Sequence, residues 1–157
     1  MKTKIFAVIV SLLLGACATA PESAPKYHEA DIGAPDNNKA VLVIYRQLVP
    51  PVAYKVKAKV NDNVISSLPN QAFTWTYLEP GHYDIDISWP LFALIPGESR
   101  EITVNAGHYY FIEFSGDMMV AGGTTLTPYS INDLDVIAPK KAIEVLKNCC
   151  QYIPSSL

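Results

Sequence analysis

Between Ala40 and Ser115 the chain is cut at short, regular intervals by turn residues: Pro50-Pro51, Asn61-Asp62-Asn63, Pro69-Asn70, Pro80-Gly81, Pro90, Pro96-Gly97 and Asn105-Ala106-Gly107. The pieces between them have strand lengths and strand patterns. Ala40 to Gln47 is apolar on both faces and rich in β-branched residues, as a central strand of a packed sheet would be. Tyr54 to Val60 alternates, with Lys55, Lys57 and Lys59 opposite Tyr54, Val56, Ala58 and Val60. Val64 to Leu68 returns as a short strand. Phe73, Trp75 and Tyr77 share one face of the next. Tyr83, Ile85, Ile87 and Trp89 share one face of the strand after Gly81-His82, with Asp84, Asp86 and Ser88 on the other. Arg100 to Val104 and His108 to Ser115 complete the set. Gly116 to Thr125 reads as an irregular loop, and Leu126 to Asp135 has room for one more strand. Pro139 at a first helical turn, followed by Ile143, Val145 and Leu146, predicts a short helix to about Asn148. The fold class expected is all-β: an antiparallel β-sandwich of about seven strands with one short C-terminal helix. Gly-His-Tyr opens a strand twice, at Gly81 and at Gly107, which predicts two hairpins built alike.

A different pattern precedes the strands. Lys2 and Lys4 are followed by an apolar run from Ile5 to Leu14, broken by Ser11, and then by Gly15-Ala16-Cys17. A positive start, an apolar centre and small residues at the end are the parts of a secretory signal peptide, and the run is too short to span a bilayer. Leu13-Leu14-Gly15-Ala16-Cys17 resembles the lipobox of bacterial lipoproteins. That resemblance implies cleavage between Ala16 and Cys17, a thioether-linked diacylglycerol on Cys17 and acylation of the new amine, often as palmitate. Ala18 after the cysteine implies sorting to the outer membrane, with the domain facing the periplasm. An ordinary signal peptide cut at Ala16-Cys17-Ala18 is the other reading.

The division expected is therefore a leader at 1–16, a flexible tether at 17–39, a sandwich domain at 40–150 and a loose tail at 151–157. Pro21, Pro25 and Pro35 interrupt the tether, which shows no sustained period. Taking sixteen residues from 157 leaves 141, enough for one domain. The formal charge of −3 becomes −5 once Lys2 and Lys4 are gone, so nothing points to nucleic acid.

From Ala40 to about Ser115 the sequence also resembles a family of small bacterial lipoproteins catalogued only as a domain of unknown function, with a sandwich akin to prealbumin and PEGA-type modules. The motifs are Val43-Ile44-Tyr45-Arg46, Val60-Asn61-Asp62-Asn63, Ser67-Leu68-Pro69-Asn70, the aromatic strand from Phe73, Pro80-Gly81-His82 and Ala106-Gly107-His108-Tyr109-Tyr110. Where the family's first turn carries glycine after Asp, this chain has Asn63, which tolerates left-handed φ. The resemblance implies a fold and an address, and no catalytic residue.

Four groups of residues are candidates for a site. Leu91, Phe92, Leu94 and Ile95, with Ala93, lie between Pro90 and Pro96-Gly97. Exposed, they are a partner or membrane contact; folded back, they seal the end of the sandwich. Lys55, Lys57 and Lys59 make a row that suits anionic headgroups or a solvated strand face, with Asp84 and Asp86 as neutralising neighbours if their strand lies alongside. Cys149 and Cys150 are adjacent, in a chain bound for an oxidising compartment; a vicinal disulfide, a bridge between chains and two free thiols are all open. Glu79, Glu98, Glu101 and Glu113, with His82 and His108, are the acid–base residues available. Their spacing gives no metal set, no nucleophile elbow and no phosphate-binding loop. No cofactor, no metal and no catalysis are therefore expected. The function expected is a lipid-anchored envelope lipoprotein acting as a binding or structural module, its partners membrane lipid through Cys17 and an envelope protein or lipid. The alternative is a periplasmic enzyme acting on an envelope polymer or lipid through carboxylates near residues 90–99.

Overall fold

The computed structural model describes residues 18–121 and 127–156; the leader expected at 1–16 and Cys17 lie outside the described residues. Among the described residues nine strands form two sheets. They are β1 Ala40–Arg46, β2 Val56–Val60, β3 Asn63–Leu68, β4 Ala72–Leu78, β5 Gly81–Ser88, β6 Glu98–Val104, β7 Tyr109–Ala121, β8 Thr127–Ile137 and β9 Gln151–Tyr152. The first sheet has the order β8-β7-β1-β4-β9, the second β3-β2-β5-β6. The second is antiparallel throughout, as expected. The first is mixed, because β1 runs parallel to β7 and β4 parallel to β9. β7 is reached by a crossing from the second sheet and β9 through the helix that follows β8, so neither meets its parallel neighbour across a tight turn.

The apolar run of β1 follows from its place at the centre of the first sheet. Leu42 and Ile44 face the second sheet, where Ile65, Leu68, Ile85 and Ile87 complete the inner core. Val41, Val43 and Tyr45 face outward into a second core closed by helix α1, Pro139–Cys149. The helix begins on Pro139, turns Ala142 and Leu146 fully inward and half-buries Ile143 and Val145. A fully buried Leu or Ile contributes about 1.5–3 kcal/mol, so the outer core is a substantial part of the fold.

Three expectations change. Gly116 to Ala121 is strand, not irregular loop: β7 continues past Phe114, its last pairing with β1, and stays paired with β8 through Ala121. Residues 122–126 lie outside the described residues. The two Gly-His-Tyr turns make no hairpins, since each carries the chain from one sheet to the other, β4 to β5 and β6 to β7. The left-handed residues of the β2–β3 turn are Asn61 (φ 47°) and Asp62 (φ 65°) rather than Asn63, which already belongs to β3. Two left-handed residues in a two-residue loop match the twist of a hairpin, and Asn and Asp bear that conformation best.

The first and last described residues are also laid along the sandwich. Residues 18–39 have almost no regular structure, as their prolines imply, yet Thr19 bridges to Asn70 and Lys26 to Gln151. Tyr27 packs on Phe73 with ring centres 5.8 Å apart, and Ala30 and Ile32 join the outer core. At the other end Ile153 N–H donates to Phe73 O (2.8 Å) and Ser156 N–H to Ile65 O (2.8 Å). Composition alone hides this, because each contact depends on where distant strands lie.

Candidate functional site

Four segments meet at the end of the sandwich where β1 finishes: the loop 47–55, the turn 69–71, the loop 89–97 and the start of the described chain. Arg46 organises them. Its side chain follows Leu42 and Ile44 into the space between the sheets and is fully buried. Nη1 donates to Tyr54 O (2.8 Å) and Leu68 O (3.2 Å), and Nη2 to Val49 O (2.9 Å). The guanidinium lies over the Trp89 ring, 4.9 Å from its centre. Only an arginine fork reaches three carbonyls and an aromatic face at once. Burial lowers its pKa to about 10, so it keeps its charge at neutral pH.

Asn70 does the same for the opposite wall. It is fully buried, and its Oδ1 accepts from Val49 N–H (2.8 Å) while Nδ2 donates to Val52 O (3.1 Å). Its backbone receives the first described residues. Asn70 N–H donates to Ala18 O (2.7 Å), Ala20 N–H to Asn70 O (2.9 Å) and Ala18 N–H to Val52 O (2.9 Å). Ala18, one peptide bond from Cys17, is thus fixed to the surface of the domain.

Beside it lies the apolar loop. Leu91–Ala93 is a single 3-10 turn. Ala93 and Ile95 pack against the inner core, while Leu91 (92%), Phe92 (71%) and Leu94 (88%) are exposed. The run is therefore divided: two side chains hold the turn down and three point away from it. Phe92 meets Tyr54 edge to face at 5.3 Å. Leu94 has φ 53°, a left-handed conformation that a leucine adopts at some cost. Gly97 brings the loop back, since a Cβ there would sit 2.6 Å from Ile87 O. A groove of about 580 Å³ runs from Ala18 past Tyr54, Lys55 and Lys57 to Leu91 and Phe92.

The lysine row is split by its neighbours. β2 is an interior strand, so the row guards no edge. Lys59 stands opposite Asp86 on β5, whereas Lys57 stands between Ser67 and Ser88. Towards the other end the same outer face turns acidic, with Asp84 opposite Glu101. Lys55 and Lys57 are exposed at the groove.

The remaining candidates are scattered. His82 and Thr103 share a hydrogen bond (3.0 Å) at the acidic end, in a cavity of about 450 Å³ with Asp84 and Glu101. His108 Nδ1 is 2.8 Å from Ala106 O. Glu113 is buried on the other side of the first sheet and accepts from Tyr45 Oη (3.0 Å) and from Gln47 Nε2. Burial, then the charge of Glu113, pushes the Tyr45 phenol far above its ordinary value, so it serves as a neutral donor. Glu98 is raised by burial and by Asp133, and Arg100 pairs with Asp135 at 3.8 Å across the same β6–β8 seam. Glu79 is exposed at the β4–β5 crossing. Among the described residues no group of His, Cys, Asp or Glu converges as a metal set. Cys149 and Cys150 are joined to each other at the end of α1, with Cys150 Sγ 3.7 Å from Arg46 O.

Arg46 and Asn70 were both within the sequence motifs, but nothing in the sequence assigned them a role. The available signal was a charged residue ending an otherwise apolar strand, which must find partners or leave the core.

A family model described as protein of unknown function (DUF2846) matches residues 36–124, more than half of the chain. No curated protein and no solved structure gives a significant match.

Proposed function

The chain belongs to the DUF2846 family, and on that footing we propose that it is a bacterial envelope lipoprotein, anchored by acylated Cys17 and working by binding rather than by catalysis. Maturation cleaves between Ala16 and Cys17, and diacylglycerol on the thiol and an acyl chain on the amine hold the protein in the outer membrane, facing the periplasm. Several chains give firm attachment where one would be marginal. Ala18 at the sorting position supports the outer membrane. The observation that carries the reading is the placement of Ala18: it sits at the domain surface, on the rim of a groove whose far side is the most exposed apolar loop. No helix among the described residues is long and apolar enough to cross a membrane. Mass spectrometry of the mature amino terminus tests it. The expected product begins at Cys17 and carries the mass of a diacylglycerol and an acyl group; an unmodified terminus at any other residue contradicts it.

The alternative of a periplasmic enzyme acting on an envelope polymer or lipid has one observation on its side, the raised pKa of Glu98 beside Asp133, at the end of loop 89–97. Release of soluble fragments from purified envelope polymer, abolished in Glu98→Gln, would favour it. A binding module releases none.

A further inference from the structure

We infer that the groove end of the domain lies directly on an anionic phospholipid surface, with Leu91, Phe92 and Leu94 entering the headgroup–acyl boundary and Lys55 and Lys57 meeting the phosphates. This rests on the lipid-anchored reading and adds to it an orientation: the domain lies against the bilayer instead of standing off on a tether.

Four independent observations converge. The first is geometric. Ala18 is pinned to Val52 and Asn70 and lines the same groove as Leu91 and Phe92. The first residue after Cys17 therefore leaves no slack between the lipid and the loop, since one peptide bond spans about 3.8 Å.

The second is exposure. The four most exposed large apolar side chains among the described residues are Leu91, Leu94, Phe92 and Leu48, and all lie at this end, Leu48 on the loop next to Arg46. Met118 and Met119, also exposed, lie on the part of β7 that continues past Arg46. Water is a poor solvent for such a cluster, and a bilayer interface is a good one.

The third is strain. Leu94 holds a left-handed conformation that glycine or asparagine would take more readily, and its side chain is almost wholly outside the fold. A large apolar group kept at a strained position where it buries nothing points to a contact outside the chain.

The fourth is charge. Lys59 faces Asp86, but Lys57 faces only serines, and the carboxylates Asp84 and Glu101 lie farther along the same face, about 13 Å along β5 from the position opposite Lys57. On this outer face the positive charge lies at the loop end and the negative charge away from it, which orients the face on an anionic surface; Glu98 and Asp133, also near the loop, lie at the β6–β8 seam instead.

The experiment uses the acylated mature protein in vesicles of phosphatidylethanolamine and phosphatidylglycerol, with brominated acyl chains as a quencher. Two proteins are compared, Phe92→Trp and His82→Trp, over the same background from Trp75 and Trp89. The expected result is strong quenching of the added fluorescence at position 92 and none at 82. In the Phe92→Trp protein, Lys55→Glu with Lys57→Glu lowers the quenching by about half or more, and added salt reduces the difference. Leu94→Gly relieves the backbone, leaves the melting temperature unchanged or higher, and still lowers the quenching. Equal quenching at 92 and 82, or none at either, overturns the inference. So does concentration-dependent shielding of the indole introduced at position 92 without quenching, which would assign the surface to a second copy of the chain. The mass of the amino terminus is read on the same samples, so a failure of acylation is distinguished from a failure of docking.

Discussion

The Arg46 guanidinium lies 4.9 Å from the centre of the Trp89 ring, and its three hydrogen bonds all go to backbone carbonyls, those of Val49, Tyr54 and Leu68. A buried cation is thus neutralised by dipoles and a π-face. The arrangement joins three loops that are far apart in sequence. Hydrogen bonds to a charged group contribute about 1.5–3 kcal/mol each, and removing the donor leaves carbonyls unpaired in the core. Arg46→Ala should cost about 3–5 kcal/mol, a fall of roughly 10 °C or more in melting temperature. Arg46→Lys should recover little of it, because an ammonium cannot span the three acceptors. Trp89→Phe keeps an aromatic face and removes an indole N–H that has no partner among the described residues, so its cost should be under about 1 kcal/mol. Thermal unfolding of the three variants checks the ranking.

Asn70 gives a second, separable prediction. In Asn70→Asp the oxygen that accepts from Val49 N–H survives, but the group facing Val52 O becomes an acceptor, and two acceptors repel. A loss of about 2–3 kcal/mol is expected. The same change should loosen residues 18–26, which are held through Asn70 and its neighbours. Limited proteolysis should then cut this segment in the variant under conditions that leave the parent intact.

Much of the fold was legible because its signals are local. The alternation in Tyr54–Val60 and the apolar run of Ala40–Gln47 follow from which faces are buried, and the structure has strands there, the first starting two residues later at Val56 and the second ending at Arg46. The helix from Pro139 was legible for the same reason. What escaped depends on distant partners. Gly116 suggests a loop by composition, yet it sits in β7 because Asn132 pairs with it across the hairpin. Residues 18–39 look like a tether until the strands that receive them are in place. The site was half legible: Leu91, Phe92 and Leu94 stood out as an apolar run without a place in a strand, while the division that sends Ala93 and Ile95 inward is set by the chain's return over Ile87 at Gly97.

Glu98 should make stability depend on pH in a stated direction. Burial and then Asp133 raise its pKa in the folded chain above the unfolded value. The folded state therefore binds the proton more tightly, and the contribution is present below the unfolded pKa, about 4.3, and lost as pH rises through the folded one. Glu98→Gln should raise the melting temperature at neutral pH, with a gain that disappears when the solution is acidified below that unfolded value. The gain should be small, since the carboxyl is only partly buried and is screened by solvent. Melting curves of parent and variant across that range decide the sign.

How the chain leaves Cys17 separates a docked domain from a tethered one. Ala18 N–H donates to Val52 O at 2.9 Å and Ala20 N–H to Asn70 O at 2.9 Å, so the first residues after Cys17 belong to the folded domain. Amide hydrogen exchange of the mature acylated protein, followed by nuclear magnetic resonance, measures this residue by residue. The prediction is that the Ala18 and Ala20 amides are protected to the degree of the neighbouring strand residues Phe73 and Thr74. Exchange of both at the rate of an unstructured peptide would restore the free tether and contradict a domain held against the membrane.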